Sequence, residues 1–315
     1  MQTPMTVIIE VNNLSKHYKD IKAVDDVSFS VNQGEIYGFL GQNGAGKSTT
    51  IRMLLTLIEP TRGSIKIFGN NLLTHRKEIL RQVGAIIEKP DLYKYLTALE
   101  NLSIFAKLSG IRPTREQLLQ QLEIVGLQTR ANSKIKTYSQ GMKQRLGIAV
   151  ALIHDPKLII LDEPTNGLDP QGIADMRNLI LRLSKEHGKT IFLSSHLLSE
   201  IEVVADRMLI LDKGKKIVEG AVSELFDSSK TVMELEVNNP IQIYEKLKSG
   251  SWSVNLKELR DHKLILELDK AKIPQLHVYL VEIGAELIGL RPRHSLEDYF
   301  LSLTTANQHV DSFAS

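Results

Sequence analysis

The segment GQNGAGKSTT, residues 41–50, constrains this chain more than any other part of its sequence. The apolar run EIYGFL before it predicts a strand, and IRMLLTLI after it predicts a buried helix that stops at Pro60. Two glycines five residues apart, followed by Lys47 and Ser48, fit the phosphate-binding P-loop, and this loop belongs between a strand and a helix. If this segment were only a glycine turn between two core elements, the lysine and the hydroxyl at these positions would be coincidences. We therefore expect an α/β domain built around a nucleotide phosphate site.

Each residue type in this loop has a physical task. Glycines allow successive backbone N–H groups to turn toward phosphate oxygens, and the following helix adds its positive N-terminal end. Lys47 supplies a cation for the β and γ phosphates, and the Ser48 hydroxyl can bind Mg²⁺. The residues expected to surround the nucleotide are Gly41, Gln42, Asn43, Gly44, Ala45, Gly46, Lys47, Ser48 and Thr49.

Two neighbouring acids are the candidates for metal binding and catalysis. KLIILDEP, residues 157–164, has the apolar run of a buried strand and ends in Asp162 and Glu163. Carboxylates at the carboxyl end of a parallel strand face the crevice where α/β sheets bind ligands. We expect Asp162 to hold Mg²⁺ through water and Glu163 to act as the general base toward the attacking water. Without the P-loop, the same two acids would indicate only a solvated loop.

A histidine completes this set of polar groups. The next predicted strand, KTIFLSS (189–195), ends at His196. An isolated histidine at a strand end is usually structural or merely exposed. Here it leaves the sheet on the same edge as Asp162 and Glu163, so we expect it to contact the γ-phosphate.

Length and composition limit the remaining possibilities. A chain of 315 residues suggests two domains, and 42% hydrophobic residues can form a sizeable core. No apolar run approaches the roughly 18 residues of a membrane span, and the N-terminal residues do not resemble an export signal. Without cysteine, disulfides and thiolate metal sites are excluded. A net charge of +2 gives no indication of a nucleic-acid partner.

With these motifs in this order, residues 7 to about 222 resemble the ATP-binding cassette (ABC) ATPases. GQNGAGKST is similar to the Walker A loop, LIILDEP to Walker B, and His196 to the switch histidine. GLDP (167–170) is similar to the D-loop, which places Asp169 near the nucleotide, and Tyr18 lies where the family stacks an aromatic ring on adenine. The resemblance implies a P-loop NTPase with a mixed sheet, ATP and Mg²⁺ as cofactors, and ATP hydrolysis.

The run YSQGMKQR, residues 138–145, resembles the family's signature motif, LSGGQ. By this resemblance, Ser139 and Gly141 bind the γ-phosphate of ATP held by another subunit, so the protein must form a homodimer. A hydroxyl, a glycine and a helix start suit an anion, and the run contains no acid. Gln140 and Met142 depart from the family motif.

A second departure is Glu88, which stands where the family has the glutamine of its Q-loop. We expect Glu88 to face the metal as a further ligand; an ordinary solvent-exposed loop acid beside Lys89 is the alternative. Residues from about 92 to 152 resemble the family's helical subdomain, which contacts the membrane partner.

After the polar linker SELFDSSK, the pattern predicts a second domain over residues 231–304. Its order of strands and helices is β-α-β-β-α-β, with SWSVNLKEL and KLILELD as the central strands, and it suggests a small α+β ferredoxin-like domain. SLEDYFLSLT predicts a last helix, and residues 305–315 are expected to be a disordered tail. The SLEDYF ending resembles an accessory domain found on exporter ATPases.

The favoured function is that of the ATP-hydrolysing subunit of a bacterial exporter, peripheral on the cytoplasmic face of the membrane and partnered by separate permeases. Glu88, the signature and the second domain resemble the bacitracin and lantibiotic exporter group. One alternative is a cassette ATPase that regulates a cytosolic partner, the ribosome or DNA, but such proteins usually carry paired cassettes or long insertions. Another is a regulator without hydrolysis, which the presence of Glu163 and His196 disfavours.

Overall fold

The structure is a computed structural model that describes residues 6–225, 230–260 and 262–293. The chain divides into two compact units, Met1–Val222 and Ser223–Ser315, and each has its own hydrophobic core. Within the described part of the chain, we find no helix with both the length and the apolar character to cross a membrane.

The strands of the first unit form two sheets. In chain order they are β1 (Val7–Tyr18), β2 (Ile21–Asn32), β3 (Ile36–Leu40), β4 (Arg62–Ile67), β5 (Asn70–Asn71), β6 (Val83–Ile86), β7 (Leu158–Asp162), β8 (Thr190–Ser195), β9 (Arg207–Asp212) and β10 (Lys215–Ala221). The smaller sheet has the order β2-β1-β4-β5 and is antiparallel.

The larger sheet has the order β10-β9-β3-β8-β7-β6 and is the mixed sheet that the sequence predicts. The strands from β9 to β6 are parallel, and β10 pairs antiparallel with β9 at one edge. β3, β7 and β8 are buried along their whole length, which explains their continuous apolar sequences. Because neighbouring parallel strands end at the same edge, the segments that follow these three strands lie side by side.

Aromatic side chains join the two sheets of the first unit. The rings of Phe29, Tyr37, Phe39 and Phe192 lie with centroids 5.2 to 6.0 Å apart in its core. Such contacts add directional packing to the burial of apolar area, so they fix the sheets that carry the loops.

The helices surround these sheets. They are α1 (Lys47–Leu54), α2 (Arg76–Leu80), α3 (Ala98–Leu108), α4 (Arg115–Ile124), α5 (Gln140–Ala151), α6 (Pro170–Lys185) and α7 (Leu198–Val204). A short helix, α8 (Val222–Leu225), begins at the last residue of this unit. The helix predicted from IRMLLTLI is confirmed, but α1 ends at Leu54. Thr56 adopts a positive φ of 56°, which a continuing right-handed helix does not allow.

Three helices, α3 to α5, form the segment predicted to be helical between residues 92 and 152. α3 and α4 each begin with a capping box, from Thr97 with Glu100 and from Thr114 with Gln117. In these boxes the threonine and the third helical residue satisfy each other's backbone N–H groups, which otherwise have no partner at a helix start.

The second unit contains a four-stranded antiparallel sheet of order β12-β13-β11-β14 with helices between the strands. Its elements are β11 (Lys230–Val237), α9 (Pro240–Ser249), β12 (Leu256–Arg260), β13 (Lys263–Asp269), α10 (Ile273–Glu282) and β14 (Leu287–Arg293). Leucines of β13 pack with Leu247 of α9 and with Leu276 and Leu280 of α10 in one core.

Two predictions for this unit need comment. The strand predicted from SWSVNLKEL begins only at Leu256, because the residues before it form turns in which Asn255 and Leu256 bond back to the Trp252 carbonyl. The predicted helix SLEDYFLSLT and the tail 305–315 lie outside the described residues.

Candidate nucleotide-binding site

The loop between β3 and α1 requires glycine at two positions. Gly46 has a φ of 108°, and a Cβ atom there would lie 2.4 Å from the Ala23 carbonyl oxygen. A Cβ atom on Gly41 would lie 2.6 Å from the Leu211 carbonyl oxygen. Both distances are prohibitive, so strands β2 and β9 hold the loop in a shape that only glycine allows. Asn43 and Gly44 lie on the exposed side of the loop, while Ala45 is buried.

Lys47 is the cation of this loop, and its side chain is only 4% exposed. Its ammonium donates to the carbonyl oxygens of Gly41 at 2.7 Å and Gln42 at 3.2 Å. It also forms an ion pair of 3.0 Å with Oε1 of Glu163. Because an unpaired buried charge is very costly, these three oxygens are what allows the lysine to be buried. Thr49, also in α1, is half-buried.

The two acids after β7 are oriented by β8. Ser194 donates its hydroxyl to Oδ1 of Asp162 at 2.6 Å, and the same hydroxyl oxygen accepts the N–H of Glu163 at 3.0 Å. Glu163 adopts a positive φ of 48°, an uncommon conformation that turns it away from the path of the strand. The sequence prediction missed Ser194, although the two serines that end the apolar strand β8 were a signal for it.

His196 approaches Glu163 from the opposite side to Lys47. Its Nδ1 lies 3.0 Å from Oε2 of Glu163, while Lys47 contacts Oε1. The two carboxylate oxygens of Glu163 are therefore bound by two different basic groups. The structure brings together the lysine, the glutamate and the histidine that the sequence predicted as neighbours.

Asp162 and Glu163 border a cavity of about 590 Å³. Its walls come from the P-loop, the segment after β6, the start of α5 and the segment after β7. The lining residues are Asn43, Ser48, Glu88, Lys89, Gln140, Gln144, Asp162, Glu163, Asn166 and Gly167.

The oxygens at this cavity fit Mg²⁺. Ser48 and Asp162 both line it, and a hydroxyl and a carboxylate are hard oxygen ligands. In the described residues no cluster of three or more His, Cys, Asp or Glu could hold a metal by itself.

Glu88 lies at the rim of the cavity. Its side chain is 67% exposed, and Oε1 forms an ion pair with Nη2 of Arg52 at 2.7 Å. Its φ of 61° is also positive. Arg52 belongs to the last turn of α1, so the pair links the segment after β6 to the helix that carries Lys47 and Ser48. No sequence pattern predicted this partner for Glu88.

Tyr18 ends strand β1 and is 45% exposed. The ammonium of Lys16, two residues earlier on the strand, lies 5.1 Å from the centre of its ring. Among the described residues, Tyr18 is not part of the cavity lining given above. The aromatic ring is therefore an exposed platform held from one face by a cation.

The signature residues lie at the start of α5. Ser139 is the exposed N-cap, and its hydroxyl oxygen accepts the Met142 N–H at 3.2 Å. A Cβ atom on Gly141 would meet nothing nearer than Gly172 and Leu168, at 4.0 Å. Asp169 caps α6 by accepting the Gly172 N–H at 2.8 Å. The signature and D-loop segments are thus neighbours, but Ser139, Gly141 and Asp169 do not line the cavity.

Comparison with known proteins agrees with this site. A family model described as ABC transporter matches residues 24–166. The bacitracin transport ATP-binding protein BcrA of Bacillus licheniformis is 45% identical over 312 residues, covering 95% of this chain and 98% of that protein. The lantibiotic transport ATP-binding protein SrtF of Streptococcus pyogenes is 42% identical over 239 residues, covering 76% of this chain and 99% of that protein.

A solved structure has the same fold in the first unit. The dimeric post-hydrolysis state of the ATP-binding cassette MJ0796, bound to ADP and Pi, matches with a TM-score of 0.61 at 27% identity, covering 68% of this chain and 99% of that chain. Fold and site together define a P-loop ATPase. More particularly, the chain belongs to the ABC transporter family as an ATP-hydrolysing subunit.

Proposed function

We propose that this protein energises the export of a bacitracin-like or lantibiotic-type antimicrobial peptide. It would act as a homodimer on the cytoplasmic face of the membrane, beneath separate permease subunits. The observation that carries the proposal is the Lys47–Glu163–His196 arrangement, in a chain that is similar to BcrA over 98% of that protein. Separate permeases are supported by the relatives BcrA and SrtF, which are transport ATP-binding proteins.

The ion pair of Lys47 suggests how hydrolysis is controlled. In the structure Lys47 occupies one oxygen of Glu163 in an ion pair, so this oxygen is not open to a water molecule. Phosphate oxygens held by the glycine loop would draw the Lys47 ammonium to themselves, because a phosphate carries more negative charge than one carboxylate. Glu163 would then keep its contact with His196 and use the released oxygen to take a proton from the attacking water.

Magnesium ion, when bound, would neutralise charge on the β and γ phosphates. Ser48 and Asp162 are the residues proposed to hold it, and Ser194 fixes Asp162 for that purpose. Glu88 is proposed as a further oxygen ligand, since it lines the same cavity and its pair with Arg52 is exposed and therefore weak.

The second copy would complete the site. Ser139 and Gly141 are proposed to bind the γ-phosphate of ATP held by the partner, with Asp169 next to them and Tyr18 stacked on adenine. The exposure of Ser139, the open space at Gly141 and an α5 first turn without acids support an anion at this helix start. The dimeric structure of the similar MJ0796 cassette supports the symmetric arrangement.

For the second unit we propose a ferredoxin-like domain with an accessory role in assembly or regulation. Its β-α-β-β-α-β order and its antiparallel sheet of order β12-β13-β11-β14 support this assignment. Catalysis is not expected there.

Complementation tests the proposed cargo. Cells that lack this protein receive its permease together with the wild type, Lys47→Ala or Glu163→Gln, and the inhibitory concentrations of bacitracin, a lantibiotic and an unrelated ribosome inhibitor are measured. We expect the wild type alone to raise tolerance to one of the two peptides, with no change for the ribosome inhibitor. Equal sensitivity to both peptides with every variant would contradict the proposal.

A further inference from the structure

A buried amide faces the nucleotide cavity without a partner. Gln144 lies in the second turn of α5, is only 4% exposed and lines the cavity together with Asp162 and Glu163. Among the described residues its carboxamide has no hydrogen-bond partner. Its polar atoms are not among the fully enclosed side-chain atoms that lack a partner in the described residues, so they reach the cavity and are available to a ligand there.

Comparable amides nearby are bonded. Asn101 of α3 is fully buried, accepts the Tyr93 N–H at 2.8 Å and donates to the carbonyls of Tyr93 and Thr97 at 3.1 and 2.8 Å. Gln121 of α4 donates to the Ala149 carbonyl at 3.3 Å. Asn101 and Gln121 are therefore satisfied within the helices, whereas Gln144, like Gln140 of the same helix, lies on the cavity wall.

The chemistry of the cavity indicates what Gln144 would bind. Three carboxylates line it: Glu88, Asp162 and Glu163. A phosphate near these negative charges needs uncharged or positive groups that donate hydrogen bonds to its oxygens. The carboxamide has two N–H donors and one acceptor. Of the other lining amides, Asn43 and Asn166 are exposed and Gln140 is half-buried. Gln144 is the one whose position is fixed by burial.

We propose that Gln144 is a nucleotide-binding residue whose carboxamide donates to an oxygen of the terminal phosphate of ATP in its own protomer. The assignment rests on the proposed ATP site. It also gives α5 a double role, since Ser139 at the start of the same helix is proposed to contact the partner's ATP. One rigid helix would then respond to the terminal phosphates of both sites.

The test separates binding from packing. Gln144→Met keeps the shape and removes the amide, and replacing an unpaired buried amide by an apolar group is nearly neutral or stabilising. We expect the unfolding temperature of the full-length variant to be unchanged or higher. Its affinity for Mg²⁺ and AMP-PNP, measured by calorimetry, should fall by about tenfold or more, since a hydrogen bond to a charged group is lost. Affinity for ADP should stay the same.

Gln121→Met is the matched control. It removes an amide that bonds to a carbonyl of α5 and does not line the cavity, so stability should fall slightly and both affinities should stay at the wild-type values. Gln144→Glu provides a second variant of the same size that can only accept; it should also weaken AMP-PNP binding selectively.

The outcomes are distinct. Unchanged AMP-PNP affinity in both Gln144 variants would overturn the proposal, and so would an equal loss for AMP-PNP and ADP. A Gln144→Met protein that does not fold would contradict the predicted neutrality and leave Gln144→Glu to decide the binding role. A wild type that binds neither nucleotide would instead contradict the proposed function itself.

Discussion

Two helix starts of the first unit are proposed to bind phosphate, and they differ in how many of their partners lie within one chain. At the start of α1, Lys47 is buried and bonded to three oxygens of its own chain. At the start of α5, Ser139 is exposed, and its hydroxyl is occupied only by capping the helix. We call the Lys47 side the closed half-site, because its partners lie within one chain. We call the Ser139 side the open half-site, because it presents Gly141 and its backbone N–H groups outward.

The difference follows from the cost of burying charge. A buried ammonium must be compensated where the chain folds, so the Lys47 half-site has to be assembled in the monomer. Backbone N–H groups at an exposed helix start can remain solvated by water until an anion binds. A site divided in this way is expected to be inactive in the monomer and active only when both halves meet.

The largest expected effect concerns the closed half. Glu163→Gln should retain ATP binding but lower the turnover number by about 10² to 10⁴, the usual consequence of removing a general base. The uncharged side chain also cannot form the ion pair with Lys47. ATPase assays measure the turnover number. Size-exclusion chromatography with ATP shows whether bound ATP traps a dimer, as we expect. Turnover within a few-fold of the wild type would exclude Glu163 as the base.

The second prediction joins the two halves. Ser139→Arg and Lys47→Ala homodimers each have two defective sites, whereas a mixed dimer has both lesions in one site and one intact site. We expect purified mixed dimers to bind one ATP each and to regain up to about half of the wild-type ATPase rate, because one of the two sites is whole. Mixed dimers no more active than either parent, and without a bound ATP, would contradict the shared site.

Much of the closed half could be predicted from the sequence because its constraints are local. Gly46 is required by a positive φ and a carbonyl 2.4 Å from its missing Cβ, and such positions appear as glycine in any sequence with this turn. Asp162 and His196 could be placed together because buried apolar runs predict parallel strands that end at one edge.

Contacts between distant segments could not be predicted. Arg52 lies within an apolar helix pattern, and nothing in that pattern indicates that it meets Glu88. Gln144 is buried although it is polar, and α5 approaches the segment after β6, where Pro90 lies close to Gly147; no local pattern in the sequence indicates this approach. The fold determines the positions of Ser139 and Gly141. The phosphate that they are proposed to bind would belong to ATP held by another copy of the chain.

A moderate effect is expected at the rim of the closed half. Glu88→Gln removes a carboxylate from a cavity that also holds Ser48 and Asp162, so the Mg²⁺ concentration for half-maximal ATPase should rise several-fold. A unit-charge pair at 4 Å is worth about 4 kcal/mol at an effective dielectric near 20. The exposure of Glu88 and its pair with Arg52 make the observed change smaller.

Glu10→Gln is the matched control for this titration. Glu10 is also exposed and paired with a basic residue, Lys66 at 3.4 Å, but it lies on β1 and does not line the cavity. Its substitution should leave the Mg²⁺ dependence unchanged. A half-maximal Mg²⁺ concentration that is equal or lower in Glu88→Gln would show that Glu88 does not face the metal.

The smallest expected effect concerns the first turn of α5, which belongs to the open half-site. α3 and α4 begin with complete capping boxes, in which Glu100 and Gln117 return to the N-cap backbone. α5 has the N-cap serine, but its third residue is Met142, which cannot accept that bond, and its first turn contains no acid. The family's LSGGQ motif has a glutamine at this third position, so this chain lacks a group that could satisfy the N-cap N–H.

Met142→Glu should therefore close the box and place a negative charge on the positive helix end. We expect a gain of about 0.5 kcal/mol in the free energy of unfolding, seen as a rise of about 1–2 °C in the unfolding temperature. ATPase activity should fall modestly, because the new carboxylate competes with the partner's phosphate for the same N–H groups. Gln117→Glu adds the same charge to α4, which already has its box, so it should raise the stability slightly and leave ATPase activity unchanged. A Met142→Glu protein that is more stable and fully active would show that no anion approaches the start of α5 during turnover, and the comparison between the two half-sites would then fail.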